Sequence, residues 1–209
     1  MTESIIYLAR GPSDRPAFLD LPAAQSRVRA ETIYDLATLD LDDCRGLLIS
    51  MHADQRHLLR CRDVLEGYMD RGGTIVFNGH VAHFFLPDLR RFVPLDKPGP
   101  KDLAVIRVAA HPVFEGVEEG DMLLRRGVAG FYGRGHNPPP PGSVVLNRLA
   151  GDKAPIDWLW QRPRGGVLLA HGGNDLWMYA RENSTVSRIA AQLLDWLETR
   201  PAPSERLSA

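Results

Sequence analysis

Three histidines stand where short apolar runs give out. His52 follows Gly46-Leu47-Leu48-Ile49-Ser50, His80 follows Thr74-Ile75-Val76-Phe77, and His171 follows Val167-Leu168-Leu169-Ala170. Imidazole exchanges its proton nearer neutrality than any other side chain, so each is a candidate base, acid or metal ligand. Each also has polar or permissive neighbours: Asp54 near His52, Asn78 and Gly79 beside His80, Asn174 and Asp175 after His171. Periodicity alone does not require a histidine at three such positions. The expected ligand pocket is therefore His52, Asp54, Asn78, Gly79, His80, His171, Asn174 and Asp175. Gly172-Gly173 allows a ligand to approach the backbone closely, and Asp175 is placed to orient His171. A plain chain reversal accounts for Gly-Gly and Asn-Asp equally well.

His80-x-x-His83, with His52 and Asp54 nearby, is a ligand set that would suit zinc or iron. No His-Glu-x-x-His or Cys-x-x-Cys arrangement supports it. The bland alternative is that His83 packs at the start of a helix while His80 bonds a loop carbonyl. No metal or other cofactor is expected. Neither Gly72-Gly73 nor Gly165-Gly166 continues into a phosphate-binding motif. A further Gly-rich stretch, Gly130 to Asn137, carries Arg134 and His136 and leads into Pro138-Pro139-Pro140-Pro141. It reads either as a lid over an anionic or carbonyl group or, the favoured reading, as an exposed excursion. Trp158, Trp160 and Trp177 could stack on a sugar, although buried tryptophans are commoner.

These residues need a scaffold that brings strand ends together. The runs Ile5–Leu8, Gly46–Ser50 and Thr74–Phe77 are continuous and apolar with little polar alternation, which suits strands covered on both faces. Thr32–Tyr34 is a further β-rich run. Leu58, Cys61, Leu65 and Tyr68 recur at helical spacing, and Gly72-Gly73 supplies a C-cap. Strand, helix, Gly-Gly and strand make a βαβ crossover and hence a parallel pair. Later, Leu103–Val108 and Val144–Leu146 read as strands, with one or two more between Met122 and Tyr132. Trp158–Trp160 and Val167–Ala170 flank a Pro/Gly turn and predict an antiparallel hairpin. Val186, Ile189, Ala190, Leu193 and Leu197 mark a final helix, capped by Asn183, Ser184 or Thr185. The expected fold is α/β: a flavodoxin-like three-layer sandwich with a mostly parallel central sheet and a late antiparallel hairpin. Ligands bind such sheets at the carboxyl ends of the strands, which is where the three histidines fall.

The stretch from Asp43 to Phe85, with Arg71-Gly72-Gly73 and then Asn78-Gly79-His80, resembles the class I glutamine amidotransferase-like superfamily, its ThuA-like branch above all. His111-Pro112-Val113-Phe114-Glu115-Gly116, Gly165 to His171 and Leu193 to Leu197 resemble further pieces of that branch, and together they span most of residues 1–199. In catalytic members of the superfamily the strand after the Gly-Gly turn ends in a cysteine on a sharp elbow. The match places Gly79 there. Their late strand carries His-Pro-Glu, whereas this chain has His171-Gly172-Gly173, without the carboxylate. Glycine cannot form a covalent intermediate. Cys44 begins a strand and Cys61 lies on an apolar helix face, so neither replaces the nucleophile. The resemblance thus implies a fold without cysteine-based amide transfer and, through ThuA-like relatives, a link to carbohydrate use.

The remaining bounds come from composition. With 25 Lys+Arg against 26 Asp+Glu the formal charge is −1, which offers no basic surface for nucleic acid or an anionic membrane. No apolar run reaches the ~20 residues of a membrane span. Two cysteines exclude a disulfide framework, and the first ten residues lack a basic signal-peptide region, so a cytoplasmic setting is expected. In 209 residues one domain over 1–199 is the default, followed by a flexible tail over 200–209. The expected partner is a small polar ligand held without covalent catalysis, with a homodimer as the assembly to test. The alternatives are a hydrolase or isomerase using His171, with or without a metal, and an interaction module built on the Pro-rich loop.

Overall fold

A computed structural model describes residues 4–207. Strand β1 (Ile5–Ala9) leads through a short helix α1 (Pro22–Gln25) to β2 (Val28–Thr32), and then to β3 (Gly46–Ile49). Two consecutive helices, α2 (Gln55–Arg60) and α3 (Arg62–Asp70), cross to β4 (Thr74–Asn78). A long irregular stretch holds β5 (Val93–Pro94), β6 (Val105–Arg107), α4 (Glu119–Leu123) and the hairpin β7 (Leu124–Arg125) and β8 (Val128–Ala129). Strand β9 (Gly135–His136) pairs antiparallel with β5. The chain closes with β10 (Val144–Leu149), β11 (Pro155–Gln161), β12 (Val167–His171), α5 (Arg188–Glu198) and α6 (Pro203–Leu207).

Eight strands form the central sheet in the order β2-β1-β3-β4-β12-β11-β10-β6. The first five run parallel, and β12, β11, β10 and β6 follow one another antiparallel. This is a flavodoxin-like α/β sandwich with a mostly parallel sheet and a late hairpin, as the sequence predicts. The apolar runs divide by parity, because successive side chains leave a strand on opposite faces. Ile5, Tyr7, Leu48, Val76 and Leu169 pack with Ile189, Leu193 and Leu197 of α5. Ile6, Leu8, Leu47, Ile49, Ile75, Phe77 and Leu168 pack with Leu58, Leu65 and Tyr68 of α2 and α3. Covering both faces demands the near-continuous hydrophobicity seen in these runs.

Gly72 follows α3 at φ 95°, a conformation that lacks a steric penalty only without a Cβ. It lets Gly72 and Gly73 N–H reach the Met69 and Tyr68 carbonyls and close the helix. The helix expected as one piece breaks at Cys61, whose ψ of 19° lies outside the helical range. Thr32–Tyr34 is not a strand of its own. It joins the end of β2 to a single 3-10 turn over Ile33–Asp35. The cap expected for α5 is displaced: a 3-10 turn over Thr185–Ser187 precedes the helix, and Thr185 bonds Asp121 instead.

Within the tail expected over 200–209, the described residues to 207 are ordered. Pro203–Leu207 coils into α6, Ser204 Oγ donates to Asp43 at 2.7 Å, and Arg45 pairs with Glu205. Residues 208–209 lie outside the described residues. No helix among the described residues is long and apolar enough to cross a membrane.

Candidate functional site

The carboxyl ends of β3, β4 and β12 lie side by side, because β4 pairs with both of the others. This brings the three histidine-bearing segments to one sheet edge. A cavity of about 360 Å³ opens there, lined by Met51, His80, Gly173 and Asn174 from the strand ends and by residues 128–134 from the loop above. Such a volume falls within the range of small-molecule sites. The strand order reverses between β1 and β3, so the cavity lies beside that switch point, not on it.

Gly79 takes φ 104° and donates its N–H to the His171 carbonyl at 2.9 Å. A Cβ at Gly79 would stand 2.7 Å from Met51 Cα. The seat that resembles a nucleophile's position thus excludes any side chain, both by conformation and by space. No helix follows β4, so no helix N-terminus adds donors there, and the helix start suggested for His83 is absent. Side chains organise the turn. Gln55 Oε1 accepts the N–H groups of Ala82 and His83, and Gln55 Nε2 donates to the His80 carbonyl. Asn137 Oδ1 accepts from Val81 N–H and its Nδ2 donates to the Gly79 carbonyl, both within 2.9 Å.

The eight candidates separate into distinct jobs. His80 and Asn174 line the cavity, and Gly79 forms the bend beside it. His80 stacks on Phe92 with centroids 3.6 Å apart, and burial, aided by His171, holds its pKa below the ordinary histidine value. Asn174 Nδ2 donates to the Phe131 carbonyl at 2.7 Å. Asn78 is fully buried and structural, accepting from Leu176 N–H and donating to the Ile49 carbonyl. Asp54 is the N-cap of α2, accepting from Arg56 and His57 N–H at 3.0 Å; those bonds hold its pKa below the usual carboxylate range. His52 is exposed on the turn after β3, outside the cavity lining. Asp175 does not orient His171. Its carboxylate accepts from Ser50 Oγ and Met51 N–H at 2.8 and 2.7 Å, and burial raises its pKa. Among the described residues no group of three His, Cys, Asp or Glu is placed to hold a metal.

His171 is fully buried and its orienting carboxylate is Asp157, at 2.6 Å from Nδ1. Asp157 is directly opposite His171 in the β11–β12 register, and Asn147 is opposite Asp157 across β10–β11. Asp157 Oδ2 accepts from both Asn147 Nδ2 and Tyr132 OH at 2.6 Å. Burial and Asp157 push the Tyr132 phenol well above its ordinary pKa, so it stays a donor. A carboxylate taken out of water requires such partners. The outer nitrogen of the ring, Nε2, has no hydrogen-bond partner among the described residues, and a Cβ on Gly173 would come within 2.7 Å of it. Gly173 itself lines the cavity, so it separates the imidazole from the open space.

Asp157, Asn147 and Tyr132 were not among the expected site residues, yet a signal existed. The predicted hairpin turns at 162–166, and counting outward from Gln161 opposite Val167 pairs Asp157 with His171.

The loop read as an exposed excursion is built into the molecule. Tyr132, Gly133, Gly135 and Asn137 are buried, and Asn137 accepts from Trp158 Nε1 at 2.8 Å. Arg134 is exposed at the cavity rim, where its Nη2 donates to the Ala129 carbonyl; His136 lies in β9, outside the lining. Pro140 is buried within the proline run. Trp158 and Trp177 belong to the core, and Trp160 is 9% exposed beneath Arg162.

No family model and no curated protein matches this chain. Among solved structures it is similar to Cytoplasmic Protein STM3548 from Salmonella typhimurium, at 12% identity and a TM-score of 0.61, covering 95% of this chain and 99% of that one. It is also similar to the mmIFT52 N-terminal domain, at 13% identity and a TM-score of 0.54, with 93% and 97% of the two chains covered. At these identities the likeness is one of fold.

Proposed function

We infer that this protein is a non-covalent receptor for a small polar ligand, held in the cleft at the ends of β3, β4 and β12. The observation that carries the reading is Gly79. A glycine at φ 104°, with Met51 Cα 2.7 Å from where a Cβ would stand, leaves no place for a nucleophile. The motif resemblance supports assigning the chain to the ThuA-like branch of the glutamine amidotransferase-like superfamily, and through it a carbohydrate-related ligand. The near-neutral charge balance argues against a nucleic-acid partner. A cytoplasmic location follows from the cysteine usage and agrees with the name of one structural neighbour, a cytoplasmic protein.

The test combines chemistry and binding. Incubation with L-glutamine should release no ammonia and leave the intact mass unchanged. Titration with monosaccharides and their acid derivatives should shift amide resonances around Gly79, Gly173 and Asn174. Turnover, or a mass adduct on the protein, would refute the reading.

A second reading rests on the His171–Asp157 pair, whose geometry is that of a base and its orienting acid. It requires Gly173 to move aside. A His171→Gln variant that retains full ligand binding but loses a measurable hydrolysis would favour it.

A further inference from the structure

Arg134 sets the chemistry of the cleft. Its guanidinium donates to a single carbonyl, that of Ala129 at 3.1 Å, and makes no ion pair with a carboxylate among the described residues. Arg27, Arg45, Arg125 and Arg162, by contrast, each meet an acid. Gly130 makes room for the side chain, since a Cβ there would lie 2.8 Å from Arg134 Nε. The cavity lining contains this cation and His80 but neither aspartate nor glutamate. Burial keeps His80 disposed to neutrality, so the site offers one full positive charge. Asn174 adds the complementary group. With Nδ2 committed to the Phe131 carbonyl, its Oδ1 is left as an acceptor for a hydroxyl. Met51, Val128 and Phe131 supply the apolar wall.

We propose that the cleft selects a hydroxylated monocarboxylate, its carboxylate on Arg134 and a hydroxyl on Asn174. The proposal rests on the receptor reading and narrows its ligand class. One guanidinium binds a carboxylate through two parallel N–H···O bonds, and a single charge matches a monoanion better than a dianion.

Sodium D-gluconate, D-glucose and inorganic phosphate separate the possibilities in one titration followed by amide resonances and calorimetry. Gluconate should perturb Gly133, Gly173 and Asn174 and bind at least about tenfold tighter than glucose, the uncharged counterpart. Arg134→Leu should weaken gluconate about tenfold or more, while Arg134→Lys, which keeps charge without the fork, should fall between. Melting temperatures of both variants control for folding. Equal binding of glucose and gluconate, or gluconate binding unchanged in Arg134→Leu, overturns the carboxylate assignment while leaving the receptor reading intact. Phosphate binding as tight as gluconate, unaffected by Asn174→Ala, overturns the hydroxyl assignment. Absence of any response to gluconate overturns the proposal, and the wider monosaccharide panel then decides whether the receptor reading falls too.

Discussion

Two polar regions lie on either side of Gly173 and are organised in opposite ways. Below it, His171, Asn147 and Tyr132 converge on the Asp157 carboxylate in the dry interior, each bond at 2.6 Å, while His171 Nε2 and Asn147 Oδ1 have no partner among the described residues. Above it, Arg134, His80 and Asn174 border an open cavity with donor and acceptor capacity left over. A buried carboxylate held by three donors fixes structure, because any lost partner leaves a charge or dipole without solvation. An unsaturated rim costs little to expose, since water takes the unused positions until a ligand displaces it. Titratable groups in the same neighbourhood therefore divide between holding the fold and offering chemistry.

This contrast predicts a descending series of stabilities, measurable by urea denaturation. Asp157→Ala should be the most damaging, at about 3–5 kcal/mol, because it strands three buried partners. A loss below about 1 kcal/mol would show that water fills the gap and that the lower region is not a closed network. Gly79→Ala should cost about 2–3 kcal/mol through its positive φ and the contact with Met51. A neutral result would mean the elbow can relax, reopening the seat to a side chain. Asp54→Ala should cost about 1 kcal/mol at neutral pH by removing the cap of α2. The folded Asp54 pKa is lowered, so its contribution is present above the unfolded carboxylate value. It is lost as pH falls through the folded value, so the variant and wild-type curves should converge in acid. Arg134→Leu, at the opposite end, should change stability by no more than about 0.5 kcal/mol. A larger loss would place Arg134 among the structural residues and blur the comparison.

The sheet was largely legible because its strands obey simple patterning. Continuous apolar runs such as Thr74–Phe77 can only be buried on both sides, and Gly72-Gly73 marks the helix end by the conformation it permits. Even the hairpin followed from a Pro/Gly turn between two β-rich runs. The site was legible only as a location. His80 and Asn174 reach the cavity, but Asp54 and Asn78 serve capping and packing, tasks for which polar residues at strand ends are equally suited. Asp175 misled because proximity in sequence to His171 suggested pairing, whereas the 3-10 turn after it points the carboxylate toward Ser50. Asp157 stayed hidden because one acid in Pro155-Ile156-Asp157-Trp158 carries no local signal; only cross-strand counting exposes it. The loop over 130–137 runs against its composition: glycines suggest exposure, while here they allow tight packing against Ile156, Gly172 and Val93.

The alignment of Asn147, Asp157 and His171 on three adjacent strands has a consequence for assembly of the sheet. A strand that slipped by one residue would turn its member of the row to the opposite face and leave the others facing hydrocarbon. The row thus acts as an alignment key. During folding it penalises a one-residue offset in the antiparallel half, a discrimination that greasy runs of leucine and valine could not provide alone.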